Sequence, residues 1–251
     1  MDLELTDRVY VVTGGARGLG RATADVLVAE GARVVLSGRS EETLASARAD
    51  LGDAVETVVA DNADQTTPDR LIRAALDRWG RLDGALISVG GPPKGSVVTT
   101  TDEQWTAAFE SVFLGAVRLG RDIGKALPHG GSLAFVLSSS VRAPLPDLAI
   151  SNGLRPGLAM VAKTLADELG PAGVRVNGLL PGRVETDRVI ELDAASGDPE
   201  AARAAGVALI PLRRYGAPEE FGRVAAFVLS PAASFVSGVM LPVDGGMLRA
   251  L

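Results

Sequence analysis

Short apolar runs rich in Val and Leu recur along the chain at 8–14, 32–38, 54–61, 83–91, 132–140, 174–182 and 237–246. Each is continuous rather than alternating, the pattern of a strand covered on both faces. Stretches with helical spacing lie between them, at 19–30, 41–51, 67–79, 102–127, about 154–169 and 218–230. Strand–helix alternation of this kind predicts an α/β fold: a doubly wound, parallel, seven-stranded sheet with helices on both faces. Local punctuation agrees. Thr101 stands three residues before Gln104, a capping box that opens the helix at 102, and Pro218 stands at the start of the last one. No linker, repeat or low-complexity tract divides the chain, which predicts one domain over 1–251. The least regular stretch is 183–215, and a loop of that length is a lid or a disordered segment.

Composition narrows the picture. At 251 residues and 47% hydrophobic, the chain can bury a large core, built mostly on Ala, Val and Leu because aromatics are only 4%. Net charge is −6 and the pI near 5.0, with basic residues scattered, which argues against nucleic acid as a partner. With no Cys, disulfides, thiolate catalysis and Cys-ligated metals are excluded. No cluster has metal-ligand spacing. The start "MDLELTDR" lacks an apolar signal core, and no apolar run approaches the roughly 18–20 residues of a membrane span. The expectation is a soluble, cytoplasmic protein.

After the first strand comes "TGGARGLG": Thr13, Gly14, Gly15, Ala16, Arg17, Gly18, Leu19 and Gly20. Placed between a strand and a helix, these glycines let a pyrophosphate rest against the helix amino end, where N–H groups and the helix dipole favour negative charge. A dinucleotide fold that prefers NAD puts a carboxylate at the end of the second strand, about 20 residues past the glycines. Here the strand ends in Ser37, Gly38 and Arg39. An arginine forms charge-assisted bonds to a 2′-phosphate that a carboxylate would repel, and Arg17 is a second candidate, so NADP is favoured over NAD.

The spacing Thr13-Gly14-x-x-x-Gly18-x-Gly20 resembles the glycine motif of the short-chain dehydrogenase/reductase family, and the likeness extends over essentially the whole chain. The resemblance implies a single Rossmann-type domain. It assigns Asp61 and Asn62, after the third strand, to the adenine ring. It sets Ser88 and Gly90 at the position of the family's Asn-Asn-Ala-Gly, of which only the glycine is kept. The segment "PGRVET" is similar to the family's Pro-Gly-x-x-x-Thr bordering the nicotinamide, so Pro181, Gly182 and Thr186 carry over. "GGPPKG" and the general layout are most similar to 3-oxoacyl-[acyl-carrier-protein] reductases.

Family catalysis uses an Asn on the fourth helix, a Ser after the fifth strand, and a Tyr and a Lys four apart on the next helix. Here Val112 stands at the Asn position, and Ser138, thirteen residues before the Tyr position, keeps the Ser. In "ISNGLRPG" the Tyr position is Ser151 and the Lys position is Arg155. A phenol beside Lys⁺ is a competent acid near neutral pH, whereas an unassisted serine hydroxyl is a far weaker one. Arg155 keeps the charge and can hold the nicotinamide ribose or substrate oxygen, but guanidinium does not deprotonate in a proton relay. Gly153 and Pro156 disfavour a helix interior, which predicts a helix that starts near 154–156 or is kinked in its first turn.

Other candidates read more blandly. Tyr10 lies within the first strand and Tyr215 in a loop after the lid. His129 precedes the fifth strand, at the sheet end opposite the cofactor. Lys94 and Arg142 follow strands four and five, where solvation or contact with an anionic substrate are both open, and Asp147 reads as a turn residue. Three functions follow. The first is an NADP(H)-dependent oxidoreductase on a carbonyl or alcohol substrate using Ser138, Ser151 and Arg155. The second is a catalytically silent NADP(H)-binding sensor or partner subunit. The last is dehalogenase-type chemistry, disfavoured because halohydrin dehalogenases keep the Tyr and lose the glycine loop. The family expectation for assembly is a homotetramer or homodimer pairing helices four and five.

Overall fold

The computed structural model describes residues 1–195 and 197–250. One position of the 183–215 segment and the last residue of the 1–251 span lie outside the described residues. Seven strands, β1 (Val9–Thr13), β2 (Arg33–Gly38), β3 (Val55–Val59), β4 (Gly84–Ser88), β5 (Ser132–Val136), β6 (Arg175–Pro181) and β7 (Met240–Val243), form one parallel sheet in the order β3-β2-β1-β4-β5-β6-β7. The helices are α1 (Gly18–Ala29), α2 (Glu41–Leu51), α3 (Thr67–Trp79), α4 (Asp102–Ala108), α5 (Gly115–Ala126), α6 (Ala149–Leu169), α7 (Asp187–Ala194), α8 (Pro199–Ala208) and α9 (Pro218–Leu229).

The strands are apolar throughout because each face meets its own helical layer. In β1, Val9 and Val11 join Leu71 of α3, Leu119 of α5 and Leu158 of α6 in one core. Tyr10 and Val12 point the other way, to Leu27 of α1, Leu44 of α2 and Phe221 of α9. The chain winds outward from β1 to β3 and then returns to β4 on the opposite side of β1, so loops leaving β1 and β4 diverge and open a crevice at the carboxyl end of the sheet. Thr13 fastens the two strands there: its Oγ1 donates to the Ser88 carbonyl at 2.9 Å and accepts from the Ser88 N–H at 2.8 Å. The capping box at Thr101 forms, and Pro218 opens α9.

Three expectations need correction. α6 does not start at 154–156; it begins at Ala149 and runs without interruption through Ser151 and Pro156. Gly153 is there for close approach, since a Cβ on it would stand 2.8 Å from the Trp105 ring of α4. The 102–127 helix is divided, with a π-helical stretch at Phe109–Leu114 between α4 and α5. This widened turn brings Gly115 against the Asn62 carbonyl, where any side chain would collide. The 183–215 stretch, finally, is largely helical. Asp198 caps α8, accepting from the Ala201 N–H at 3.0 Å, and Pro199 follows at the first helical position. Asp193 of α7 is tied to the body of the protein by the Tyr215 hydroxyl at 2.9 Å and by Arg183 at 2.8 Å, with the Arg203 guanidinium 4.7 Å above the Tyr215 ring.

Candidate active site

The β1–α1 loop needs its glycines: Gly14 and Gly18 have φ of +58° and +57°. A Cβ on Gly20 would strike the Gly14 carbonyl. Arg17 occupies the cap position of α1 in an extended conformation, and no side chain caps this helix, so its leading N–H groups are left for a ligand. At the end of β2, Ser37 is buried and its Oγ bonds to no described residue, while its carbonyl accepts from the Gly15 N–H at 3.0 Å. Arg17 and Arg39 are exposed and pair with no described residue. Leu19 is half-buried in the first turn of α1. Asp61 is exposed and accepts from the Ala63 N–H at 2.9 Å, beside the half-buried Asn62.

Across the crevice, Pro181 ends β6 and Gly182 donates its N–H to the Val243 carbonyl at 3.0 Å. Thr186 starts α7, and its methyl lies 3.7 Å from where a Cβ on Gly18 would sit. The first turn of α7 therefore faces the glycine loop. Two cations latch α7 to the loop after β4: Arg188 donates to the Pro92 carbonyl at 3.0 Å and Lys94 to the Leu192 carbonyl at 2.9 Å. The Arg188 bond had no signal in the sequence beyond the cation itself.

Ser151 and Arg155 lie one turn apart on α6, on the face turned to the ends of β4 and β5. Arg155 is 4% exposed. Its Nη1 donates to the Val136 carbonyl at 2.6 Å, and its Nη2 to the carbonyls of Val89 at 3.3 Å and Gly90 at 3.2 Å. Its Nε is buried without a partner among the described residues. Burial pushes the guanidinium down to about 10, which leaves it charged at neutral pH. Ser151 is 6% exposed, and its Oγ stands 3.1 Å from the Ser140 Oγ. Ser138 makes no hydrogen bond to Ser151; its Oγ accepts from the Ser140 N–H at 3.0 Å and opens the 3₁₀ turn Ser139–Val141. Ser140 was missed because a run of three serines gives no sign of which one a tight turn will aim at α6. Val112 is buried in the core beneath.

The remaining candidates separate cleanly. Tyr10 is buried, its hydroxyl raised well above the usual phenol range by desolvation. Tyr215 is also raised, by burial and by its bond to Asp193. His129 is exposed against Gly173, Asp147 is a turn residue at φ +55°, and Arg142 donates to the Met240 carbonyl at 3.2 Å. Among the described residues no three His, Cys, Asp or Glu gather as metal ligands, and no helix is long and apolar enough to cross a membrane.

A parallel sheet whose switch point carries a glycine loop, a bare helix amino end and unspent donors has the architecture of a dinucleotide-binding oxidoreductase. The family model described as enoyl-(acyl carrier protein) reductase matches residues 14–248. The chain belongs to that family, within the short-chain dehydrogenase/reductases, and is an oxidoreductase of that type. Levodione reductase of Leifsonia aquatica is 33% identical over 98% of this chain and 96% of its own length. L-sorbose reductase of Gluconobacter frateurii, solved with NADPH and L-sorbose, superposes with a TM-score of 0.92 at 28% identity, all of both chains being covered. A 3-ketoacyl-(acyl-carrier-protein) reductase of Brucella melitensis, solved with NADH, gives 0.86 at 28% identity over 97% of this chain and 99% of that one.

Proposed function

We propose that the protein is an NADP(H)-dependent oxidoreductase acting on a carbonyl or alcohol substrate with a non-standard catalytic set. The observation that carries this reading is a buried Ser37 hydroxyl at the end of β2, with Arg39 two residues on and Arg17 in the glycine loop both exposed, all three side chains without a partner among the described residues. Buried polar groups are ordinarily satisfied, so an orphan together with free cations fits an absent ligand of opposite charge. Arg17 and Arg39 take the adenosine 2′-phosphate. The loop Thr13, Gly14, Gly18, Leu19, Gly20 and the amino end of α1 take the pyrophosphate, and Asp61 and Asn62 border the adenine. Ser88, Gly90, Pro181, Gly182 and Thr186 line the nicotinamide end.

Bound NADPH supplies the hydride. The chain's own residues hold the reacting groups and manage the proton. Arg155, which gathers the carbonyls of Val89, Gly90 and Val136, would border the nicotinamide riboside, and its charge would favour negative charge developing on a substrate oxygen nearby. Ser138 and Ser151 are the hydroxyls on the substrate side. The segment 183–215, with α7 and α8, serves as the substrate lid of a single domain spanning 1–251. The reading includes a cytoplasmic location and a homodimer or homotetramer; the apolar Phe109 and Met160, exposed at 42% and 67%, support self-association near α4–α6.

A second reading has its own observation. The Ser151 hydroxyl and the Arg155 guanidinium are both engaged with protein groups, which favours a silent NADP(H)-binding sensor or partner subunit. Calorimetric titration with NADPH and NADH, followed by NADPH oxidation against a ketone panel, separates the two. NADPH binding with turnover supports the reductase, and binding without turnover supports the sensor. Failure to bind either nucleotide overturns both.

A further inference from the structure

Ketone reduction consumes one proton per hydride, and neither family route for that proton survives here. Val112 is apolar and buried, and the Arg155 guanidinium is committed to three main-chain carbonyls and does not give up a proton at working pH. Ser151 stands where the acid must act, yet an isolated serine that donates has no way to be reprotonated. The structure offers a neighbour. Ser140 Oγ lies 3.1 Å from Ser151 Oγ, and Ser140, itself only 4% exposed, forms part of the inner wall of a groove of about 220 Å³ that opens to the surface between residues 140–144 and α6.

Resting on the reductase reading above, we propose that Ser140 is the positioning residue that links Ser151 to solvent, so that the proton consumed in reduction enters through this groove. Ser140 has one hydroxyl proton and two acceptors in reach, the Ser151 Oγ at 3.1 Å and the Ser151 carbonyl at 3.4 Å. Donation along the shorter contact leaves the proton of Ser151 itself free to face a substrate oxygen. The orientation is held from both sides. Ser138 Oγ accepts the Ser140 N–H at 3.0 Å. Asn152 grips the same loop by accepting the Leu145 N–H at 3.0 Å and donating to its carbonyl at 2.8 Å.

Asn152 and Pro156 both line the groove, and Pro156 has no N–H to occupy the Asn152 carbonyl as the helix otherwise would. That carbonyl is thereby an acceptor suited to holding water, and among the described residues the wall contains no carboxylate or imidazole to act in its place, its one charged side chain being Arg142. The step balances. Hydride reaches the carbonyl carbon and the π pair moves to oxygen, which takes the Ser151 proton. Ser151 takes that of Ser140, and Ser140 takes one from groove water, whose hydroxide the buffer neutralises. Ketone, NADPH and one proton become alcohol and NADP⁺.

The test compares wild type with Ser140→Ala, Ser140→Thr and Ser140→Cys. Ser140→Ala should lower kcat about 10- to 100-fold, toward the low end of what a positioned proton donor contributes, with NADPH affinity unchanged and a larger solvent isotope effect in D₂O. Ser140→Thr, which keeps the hydroxyl, should restore turnover. Because the chain has no cysteine of its own, alkylation of folded Ser140→Cys by iodoacetamide reads groove access without reference to activity. Wild-type rate and isotope effect in Ser140→Ala, or no alkylation of folded Ser140→Cys, overturns the relay and leaves the reductase standing. A wild-type protein that binds NADPH but reduces no ketone overturns the reductase reading and the relay with it.

Discussion

On the β1–β2 side of the crevice, Ser37 Oγ is buried and Arg17 and Arg39 are exposed, none of the three side chains having a partner among the described residues. On the β4–β5 side, Arg155 gives its Nη groups to three strand carbonyls and Ser151 pairs its hydroxyl with Ser140. The first wall leaves its arginines and the Ser37 hydroxyl for something else to satisfy, whereas the second satisfies most of its donors and leaves only the Arg155 Nε without a partner among the described residues. Since an unmet buried polar group costs about 1–3 kcal/mol, the first arrangement persists where a ligand offsets it. The second has most of its groups met by the protein, so on the proposed reading nucleotide binding and proton handling fall to different walls.

The comparison breaks most visibly if the second wall is made to resemble its family. Ser151→Tyr with Arg155→Lys should raise ketone reduction about 10²- to 10⁴-fold, the contribution of a positioned general acid, in a coupled NADPH-oxidation assay. No gain would mean that hydride geometry, and not the acid alone, has been lost.

Damage to the first wall is the next largest effect. Gly20→Ala forces a methyl into the Gly14 carbonyl, backbone against backbone with no flexible neighbour to yield. Overpacking of about 1–3 kcal/mol should weaken NADPH about 10- to 100-fold in a calorimetric titration, with the far-UV spectrum retained. Arg39→Ala sharpens the contrast further. It should cost about tenfold in NADPH affinity and nothing in NADH affinity, since only the former offers a phosphate to an exposed cation. Equal losses for both nucleotides would remove Arg39 from the 2′-phosphate.

The smallest effect lies away from both walls. Glu220, at the start of α9, is held from its ordinary 4.5 down to about 2 by its paired bonds to Arg214 and by the Ala217 N–H. A depressed carboxylate contributes stability above its unfolded value and loses it as pH falls from about 4.5 through about 2. Glu220→Gln should therefore flatten the acid limb of Tm against pH slightly, the pair being exposed, and leave nucleotide binding untouched.

Much of this was legible in one dimension. Continuous Val/Leu runs between helical stretches specified a sheet covered on both faces, and each observed strand lies inside its predicted run. Thr101 with Gln104, and Pro218, marked helix starts that formed as read. The start of α6 was misread because Gly153 and Pro156 were weighed by propensity alone. Packing decided otherwise: Gly153 lets Trp105 close on the helix, and Arg155, anchored to three carbonyls, holds the first turns against the sheet. The helices of 183–215 carried a readable signal in Asp198-Pro199, an N-cap followed by proline, that hydrophobic periodicity did not bring out.

The sequence by itself determined the parallel doubly wound sheet, the glycine loop at its switch point, the presence of Arg17 and Arg39 and the absence of a carboxylate at the β2 end, and it put Ser151 and Arg155 at the positions where the family resemblance expects Tyr and Lys. These are consequences of residue type and spacing, which local physics reads directly. Only the tertiary structure decided which serine meets Ser151, and that the Arg155 charge is met by carbonyls and no carboxylate. It also decided that Lys94 and Arg188 latch α7 to the loop after β4. Those outcomes depend on a 3₁₀ turn, a helix register and two loops brought together across the sheet, relations between residues far apart in sequence that no local pattern encodes.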